Sequence, residues 1–139
     1  MKRKIISTMS ISTCLTACTD NIIGDWDGSQ LTSVSDSSAS YALPFEECAS
    51  YNGSEQCYTA DFHISIQDDL TGSMDMKLAM YDFDIDLTIE KKGTNTYDLV
   101  GTIPFMDDSL TFTCTLEDAD NLQCTESLEL EAIIDFVRE

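Results

Sequence analysis

The chain is 139 residues long and strongly acidic, with 26 Asp and Glu against seven Lys and Arg and a formal charge of −19. A chain of this length holds one domain and not two. Its charge repels nucleic-acid phosphates and anionic lipid, so we expect no nucleic-acid partner. Solubility alone explains the excess of acidic residues, although a cationic partner would also suit it.

The first residues have the pattern of an export signal. Lys2, Arg3 and Lys4 form a positive start, and residues 5–17 carry no charge. This uncharged stretch is shorter than the ~20 residues that a transmembrane helix needs. A positive start before a short uncharged segment indicates a secretory signal peptide.

The end of this segment, Leu15-Thr16-Ala17-Cys18, resembles the lipobox of bacterial lipoproteins. The resemblance implies that residues 1–17 are a signal peptide and that Cys18 becomes a lipidated N-terminus. Residues 18–23 would then tether a domain of residues 24–139 to a membrane of the bacterial cell envelope. The alternative is ordinary signal cleavage near Ala17, with Cys18 left as a plain thiol.

Two consequences follow from the lipoprotein resemblance. Thr19 stands where Asp favours inner-membrane retention in such proteins, which implies the outer membrane. Cleavage would also leave four basic residues against 26 acidic ones, a formal charge of −22. Those four are Lys77, Lys91, Lys92 and Arg138.

The rest of the sequence predicts β-structure. Residues 33–40 (SVSDSSAS) show no periodic face and are predicted to be a loop, with Gly24-Asp25-Trp26 in a first strand before it. From Tyr58 onward apolar and polar residues alternate, and a period of two is typical of half-buried strands. No segment shows a convincing helical period.

The ends of the alternating runs predict the turns. Parity changes between Met80 and Phe83, which predicts a two-residue turn at Tyr81-Asp82 or a bulge in one long strand. Residues 91–95 and 117–121 are predicted turns, and residues 122–136 are predicted to close the chain as one strand. Its apolar face would be formed by Leu128, Leu130, Ala132, Ile134 and Phe136.

The fold class that follows is all-β. We expect an antiparallel up-and-down meander of seven or eight strands, closed or nearly closed into a small barrel. Closure removes the exposed strand edges that an open sheet would present.

Four of the six cysteines remain once Cys14 is cleaved off and Cys18 is lipidated. An even number in an exported chain indicates disulfides. We predict Cys48–Cys57, which closes a short loop around the turn sequence of residues 51–54. We also predict Cys114–Cys124, because Leu116 facing Leu122 across a turn sets these two opposite each other. Zinc binding is the rival, but the cysteines lack tight CxxC spacing.

Three residues near the ends of the predicted barrel suggest a family. Gly24 and Trp26 form a G-x-W in the first strand, and Arg138 is the penultimate residue. This arrangement resembles the lipocalin-like (calycin) barrels, in which the arginine lies across the tryptophan and closes the barrel base. The alternative is that Trp26 is an ordinary core aromatic and Arg138 a solvated residue.

Candidate sites are few. His63 is predicted to lie on the outward face as an ordinary surface residue. Asp82, Asp84 and Asp86 share one strand face and could hold Ca²⁺, but we favour a solvated outer face, with Phe83, Ile85, Leu87 and Ile89 inward. Glu126 is in register to point inward, where it would line a ligand cavity, but we favour exposure at a bulge.

The function we expect is non-catalytic. The lipoprotein would have a binding or structural role, with Glu126, Met74, Met76 and Phe112 as candidate contacts for a small apolar ligand inside the barrel. The alternative is an interaction module that binds a cationic protein, as small-barrel lysozyme inhibitors do. We expect no enzyme, cofactor or metal site, because no nucleophile stands in a recognisable spacing from a base.

Overall fold

The computed structural model describes residues 22–103 and 108–139, which form ten β-strands and contain no helix. The strands are β1 (Gly24–Ser33), β2 (Ser40–Ala42), β3 (Phe45–Tyr51), β4 (Ser54–Ile66), β5 (Thr71–Ala79), β6 (Tyr81–Lys91), β7 (Thr96–Thr102), β8 (Ser109–Asp118), β9 (Asn121–Glu126) and β10 (Ala132–Arg138).

Eight of these strands form a closed antiparallel barrel. Strands β4 to β10 pair consecutively, and β1 closes the ring by pairing with both β10 and β4. The β1–β4 seam is short, running from Gly24 opposite Ile66 to Asp27 opposite His63. The predicted all-β, up-and-down barrel is therefore confirmed.

Beyond the seam, β1 and β4 separate and each takes a new partner. Strand β2 pairs with β1, and β3 pairs with β4 along its first half. These two strands were not predicted. Strand β3 (FEECASY) has six exposed residues of seven, so it shows no alternation between apolar and polar positions.

Alternation governs the barrel wall elsewhere. In β6, Ile85, Leu87 and Ile89 are buried and the partly buried Phe83 packs against the same core, while Asp82, Asp84 and Asp86 are exposed. The predicted register of this strand is therefore confirmed. It is favoured because burying each apolar side chain stabilises the fold by ~1.5–3 kcal/mol.

The turn between β5 and β6 lies earlier than predicted. Strand β5 ends at Ala79, which has a φ of 59°, and Leu78 faces Tyr81 across the turn. The predicted hairpin is present, but its turn residues are Ala79 and Met80. Met80, at the tip of the hairpin, lies beyond the core and is 62% exposed, although the apolar alternation of β5 continues as far as this residue.

The predicted single strand of residues 122–136 is also wrong. Strand β9 ends at Glu126, a turn of residues 127–131 follows, and β10 begins at Ala132. Leu128 lies in this turn and is 84% exposed, whereas Leu130 packs partly against the core. Apolar residues at even positions on both sides of the turn made the segment resemble one continuous strand.

Both predicted disulfides are confirmed, Cys48–Cys57 and Cys114–Cys124. Each joins residues directly opposite each other in an antiparallel pair, the first in β3 and β4 and the second in β8 and β9. Cys114 and Cys124 are fully buried in the core.

Ile22 is fully buried as well, so the packed part of the domain includes residues just before the predicted boundary at 24.

Candidate functional site

The barrel interior is filled by its own side chains. Three of the four candidate ligand contacts, Met74, Met76 and Phe112, are all at most 1% exposed and belong to one continuous core. Phe62 and Tyr97 are fully buried among them. An eight-stranded barrel is just wide enough for side chains to fill it, which is the arrangement here.

A small apolar cavity lies at one mouth of the barrel. It has a volume of about 170 Å³ and is lined by Leu31, Phe62, Leu78, Glu129, Leu130 and Ala132. Pockets for drug-sized ligands are larger, ~300–1,000 Å³. The cavity therefore has room for one side chain or a benzene-sized group. None of the four predicted contacts, Glu126, Met74, Met76 and Phe112, lines it.

Glu126 is buried rather than exposed at a bulge, so the favoured sequence interpretation is wrong. Its side chain is at the end of β9, and the residue is 2% exposed. Its Oε1 accepts hydrogen bonds from the backbone N–H groups of Glu129 at 2.8 Å and Leu130 at 2.6 Å. The carboxylate thus accepts hydrogen bonds from the turn that connects β9 to β10. These bonds offset the desolvation cost of burying it, so its burial does not require a ligand.

The base of the barrel is closed by Trp26 and Arg138. The guanidinium carbon of Arg138 lies 4.3 Å from the centre of the Trp26 ring. Its Nη1 donates to the Ile23 carbonyl at 2.7 Å and its Nε to the Ala119 carbonyl at 2.8 Å. A Cβ at Gly24 would lie 2.7 Å from that Nη1, and Gly24 has a φ of +129°. The glycine, the tryptophan and the arginine therefore depend on one another.

Strands β3 and β4 extend past the barrel rim as an arm, residues 45–59, braced by Cys48–Cys57. Ala60 and Phe62 are buried, and Tyr58, on the same face of β4, lies beyond them and is exposed. Glu47 stands directly opposite Tyr58. Opposed residues in an antiparallel pair share a face, so both side chains lie on the face that continues the barrel interior.

The β5–β6 hairpin lies beside this arm. Ala79 pairs with Thr59 of β4, and Tyr81, which stands opposite Leu78, is 63% exposed. The rings of Tyr81 and Phe83 stack with centroids 6.0 Å apart. We define the mouth surface as Glu47, Tyr58, Leu78 and Tyr81 together with the adjoining cavity.

The mouth surface combines exposed aromatic rings with negative charge. The arm also carries Glu46 and Glu55, and residues 40–62 contain no Lys, Arg or His. Glu129 adds a carboxylate at the cavity. Aromatic faces and carboxylates together attract Lys and Arg side chains.

His63 is not an ordinary surface residue. Its ring nitrogens contact the carboxylates of Asp27 and Asp61, and its side chain is 44% exposed. Partial burial lowers the pKa of His63, but the hydrogen bond to Asp27 and the charge of Asp61 outweigh burial and raise it above its usual value. Its outward position was predicted correctly, but its partners were not.

Further acidic residues continue around the outer wall. Burial and the neighbouring Asp82 carboxyl raise the pKa of Asp75. Asp84 and Asp86 line an open groove of about 440 Å³ between β6 and β7. Asp84 and Asp86 belong to the solvated outer face that the sequence predicts, whereas Gly101, which also lines the groove, is buried.

No protein-family model matches the chain, and comparisons with curated proteins and with solved structures find no match. The predicted lipobox, Leu15 to Cys18, lies outside the described residues. Within residues 22–103 and 108–139, no helix has the length and apolarity to cross a membrane.

Proposed function

We propose that this chain is a lipid-anchored, non-catalytic protein of the bacterial envelope that binds a cationic protein at the mouth surface of its barrel. The observation that carries the proposal is the filled interior beside an exposed, acidic and aromatic rim. A carrier of a drug-sized apolar ligand needs a cavity of ~300–1,000 Å³. The 170 Å³ at the mouth would hold no more than a benzene-sized group.

The mouth surface suits a basic protein segment. Tyr58 and Tyr81 offer ring faces to a Lys or Arg side chain of the partner. Glu47, opposite Tyr58, would accept hydrogen bonds from that Lys or Arg. One apolar side chain of the partner would enter the cavity beside Leu78. The large negative charge of the chain would speed association with a cationic partner and make it salt-dependent.

The proposed fold family agrees with this role. The closed eight-stranded barrel and the packing of Arg138 over Trp26 support a relationship to the lipocalin-like (calycin) barrels. Binding sites of β-barrels commonly lie in the mouth of the barrel, which is where the arm stands here.

The lipid anchor rests on the lipobox at Cys18, and a pair of variants tests it. Cys18→Ala should release the protein from the membrane fraction and remove the acyl mass. Cys14→Ala, in the signal segment, is the matched control and should change neither. A Cys18→Ala protein that still pellets with membranes in high salt and carries the same lipid mass would exclude the anchor.

Photo-crosslinking in cells tests the mouth surface. A photoreactive residue is placed at Tyr58 in one variant and at Thr111, an exposed position on the outer wall of β8, in the control. We expect a covalent adduct with one basic protein at position 58 and none at 111. Lipid adducts at 58 would instead indicate a carrier, and equal adducts at both positions would exclude a defined mouth site.

Once the partner is identified, two single-charge variants separate a defined site from general attraction. Glu47→Gln should weaken binding about tenfold or more, as expected when a charge-assisted contact of ~1.5–3 kcal/mol is lost. Asp84→Asn removes the same charge from the outer wall and should change affinity little. Equal weakening by both variants would contradict the proposed site.

A further inference from the structure

Three ligand-type side chains from neighbouring strands converge on the outer wall at the barrel seam. Asp27 of β1 stands directly opposite His63 of β4. Glu139 follows β10, and its backbone N–H donates to the Asp25 carbonyl at 3.0 Å, which holds it beside β1. One side-chain donor atom from each of Asp27, His63 and Glu139 lies within 4.8 Å of the other two.

The two ring nitrogens of His63 have different surroundings. The Nε2 lies 3.2 Å from Asp61 Oδ2, and the Nδ1 faces Asp27 Oδ1 and, at 3.9 Å, Glu139 Oε2. If Nε2 donates its proton to Asp61, the lone pair of Nδ1 points at the two remaining carboxylates. Histidine ligands of metal ions usually bind the metal through one ring nitrogen and donate the N–H of the other to a carboxylate, which orients the ring.

The carboxylates around His63 carry more negative charge than one imidazolium can neutralise. The carboxylates of Asp27, Asp61 and Glu139 surround a single imidazole ring, and Asp75 stands opposite His63 on β5. Protonation of His63 would supply one positive charge against these carboxylates. A divalent cation between Asp27, Glu139 and Nδ1 would supply two, and would replace carboxylate repulsion with coordination.

We propose that Asp27, His63 and Glu139 form a binding site for a divalent transition-metal ion, with zinc as the ion that fits best. The sequence predicts no metal site, so this site departs from that expectation. Zinc accepts nitrogen and oxygen ligands together in a four-coordinate shell, whereas calcium prefers six to eight oxygens. Three protein ligands on a solvent-exposed wall leave the fourth position to water.

Two contacts must change when zinc binds. Asp27 Oδ1 and His63 Nδ1, which are in direct hydrogen-bond contact, must separate to admit the ion, and Glu139 must approach. Tetrahedral ligand atoms ~2.0–2.2 Å from zinc lie roughly 3.3–3.6 Å apart. The 3.9 Å between His63 Nδ1 and Glu139 Oε2 exceeds this slightly, and the Glu139 side chain is 45% exposed, so a rotation about its bonds brings it in. The ion would connect β10, β1 and β4, the three strands that meet at the seam.

Zinc titration of the purified full chain, freed of metal by a chelating resin, tests the proposal. Competition with a chromophoric chelator should show one equivalent of bound Zn²⁺, and saturation should raise the melting temperature. The imidazole NMR signal of the only histidine should shift at Nδ1 rather than Nε2. Ca²⁺ at the same concentration should produce neither effect.

Matched variants assign the ligands. His63→Gln and Asp27→Asn should each weaken zinc binding at least tenfold, and both sites are exposed enough for the variants to fold. Asp61→Asn, which removes the partner of Nε2, should weaken it about 10–100-fold while one equivalent still binds. Asp86→Asn removes an outer-wall charge that is not a ligand and should leave affinity unchanged.

Three outcomes would overturn the site. The first is the absence of zinc binding at millimolar Zn²⁺, and the second is binding that His63→Gln leaves unchanged. The third is equal weakening by Asp86→Asn, which would indicate ion condensation on an acidic surface. The test does not depend on the mouth surface, because none of its residues is altered.

Discussion

Glu126 gives the sharpest test of the structure, because its buried carboxylate serves only its own turn. Its Oε1 accepts from the N–H groups of Glu129 and Leu130, and its Oε2 lies 3.2 Å from the Glu129 nitrogen. In Glu126→Gln the amide oxygen keeps both bonds, but charge-assisted bonds of ~1.5–3 kcal/mol become neutral ones of ~0.5–1.5 kcal/mol. The amide NH₂ would also face the Glu129 N–H, donor against donor. We expect a loss of about 1–2 kcal/mol in the free energy of unfolding.

Glu126→Ala extends the same argument. It leaves two partly buried N–H groups without an acceptor, at ~1–3 kcal/mol each, so the expected loss is about 2–5 kcal/mol. Urea unfolding measures both variants, and amide hydrogen exchange should show that Glu129 and Leu130 lose protection. Glu129→Gln is the control, since it removes an equal charge from the exposed face of the same turn. If Glu126→Gln unfolds like this control, the proposed role of the carboxylate is wrong.

Three further predictions concern other parts of the barrel. Arg138→Met should lower the free energy of unfolding by about 2–3 kcal/mol, since it removes a cation–π contact and two hydrogen bonds to carbonyls, and Trp26 fluorescence reports the unfolding. Arg138→Lys should have a stability between those of Arg138→Met and the wild type. An Arg138→Met variant as stable as the wild type would contradict the role of Arg138 at the barrel base. Replacing Cys114 and Cys124 by Ala should cost more stability than replacing Cys48 and Cys57 of the arm. Both disulfides close short loops and contribute ~2–3 kcal/mol each, but only removal of the fully buried Cys114–Cys124 pair leaves a core cavity. Equal losses in urea titrations would argue against this. Burial and the neighbouring Asp82 raise the pKa of Asp75 in the folded state above its ordinary value of 3.8. The folded state therefore binds this proton more tightly than the unfolded state, which stabilises the protein at low pH. That stabilisation is lost as the pH rises through the folded-state pKa. Asp75→Asn should abolish that decline in unfolding experiments between about pH 3 and 7 and be more stable at neutral pH, whereas an unchanged slope would refute the assignment.

The barrel wall was predictable because one face of each strand is buried. In β6 a carboxylate follows almost every apolar residue, and only one register buries Ile85, Leu87 and Ile89 together. The turn before Leu122 likewise sets Cys114 opposite Cys124. Period-two patterns specify which way side chains point, and short turns specify which residues face each other.

The arm escaped prediction for the converse reason. Strand β3 is exposed on both faces, so no pattern of burial marks it, and only the turn at Asn52-Gly53 and the cysteine pair signalled a loop there. The turn of residues 127–131 was hidden by Leu128 and Leu130, which continue the apolar parity of β9. Tertiary contacts, not sequence pattern, decide that Leu128 is exposed.

The His63 cluster required knowledge that alternation does not contain. Asp27 and His63 become neighbours only when β1 pairs with β4 in one register, and Glu139 joins them only when β10 pairs with β1. These pairings follow from closure of the ring rather than from local turns. The one signal in the sequence is that acidic residues stand on the outward face of the first strand, at Asp27, and directly after the last strand, at Glu139.

From the position of β1 we expect it to be the last strand of the barrel to pair with both of its neighbours. Strands β4 to β10 are joined to their neighbours by short connections, so each hairpin can form as soon as its own residues are available. Strand β1 must wait, because Ile23 and Arg138, which hydrogen-bond at the barrel base, are 115 residues apart in sequence. Closing so long a loop is entropically costly and slow. Until β1 and β10 pair, the sheet has two unpaired edges that another copy could bind. We therefore expect closure of the ring to be the step that protects the chain from aggregation.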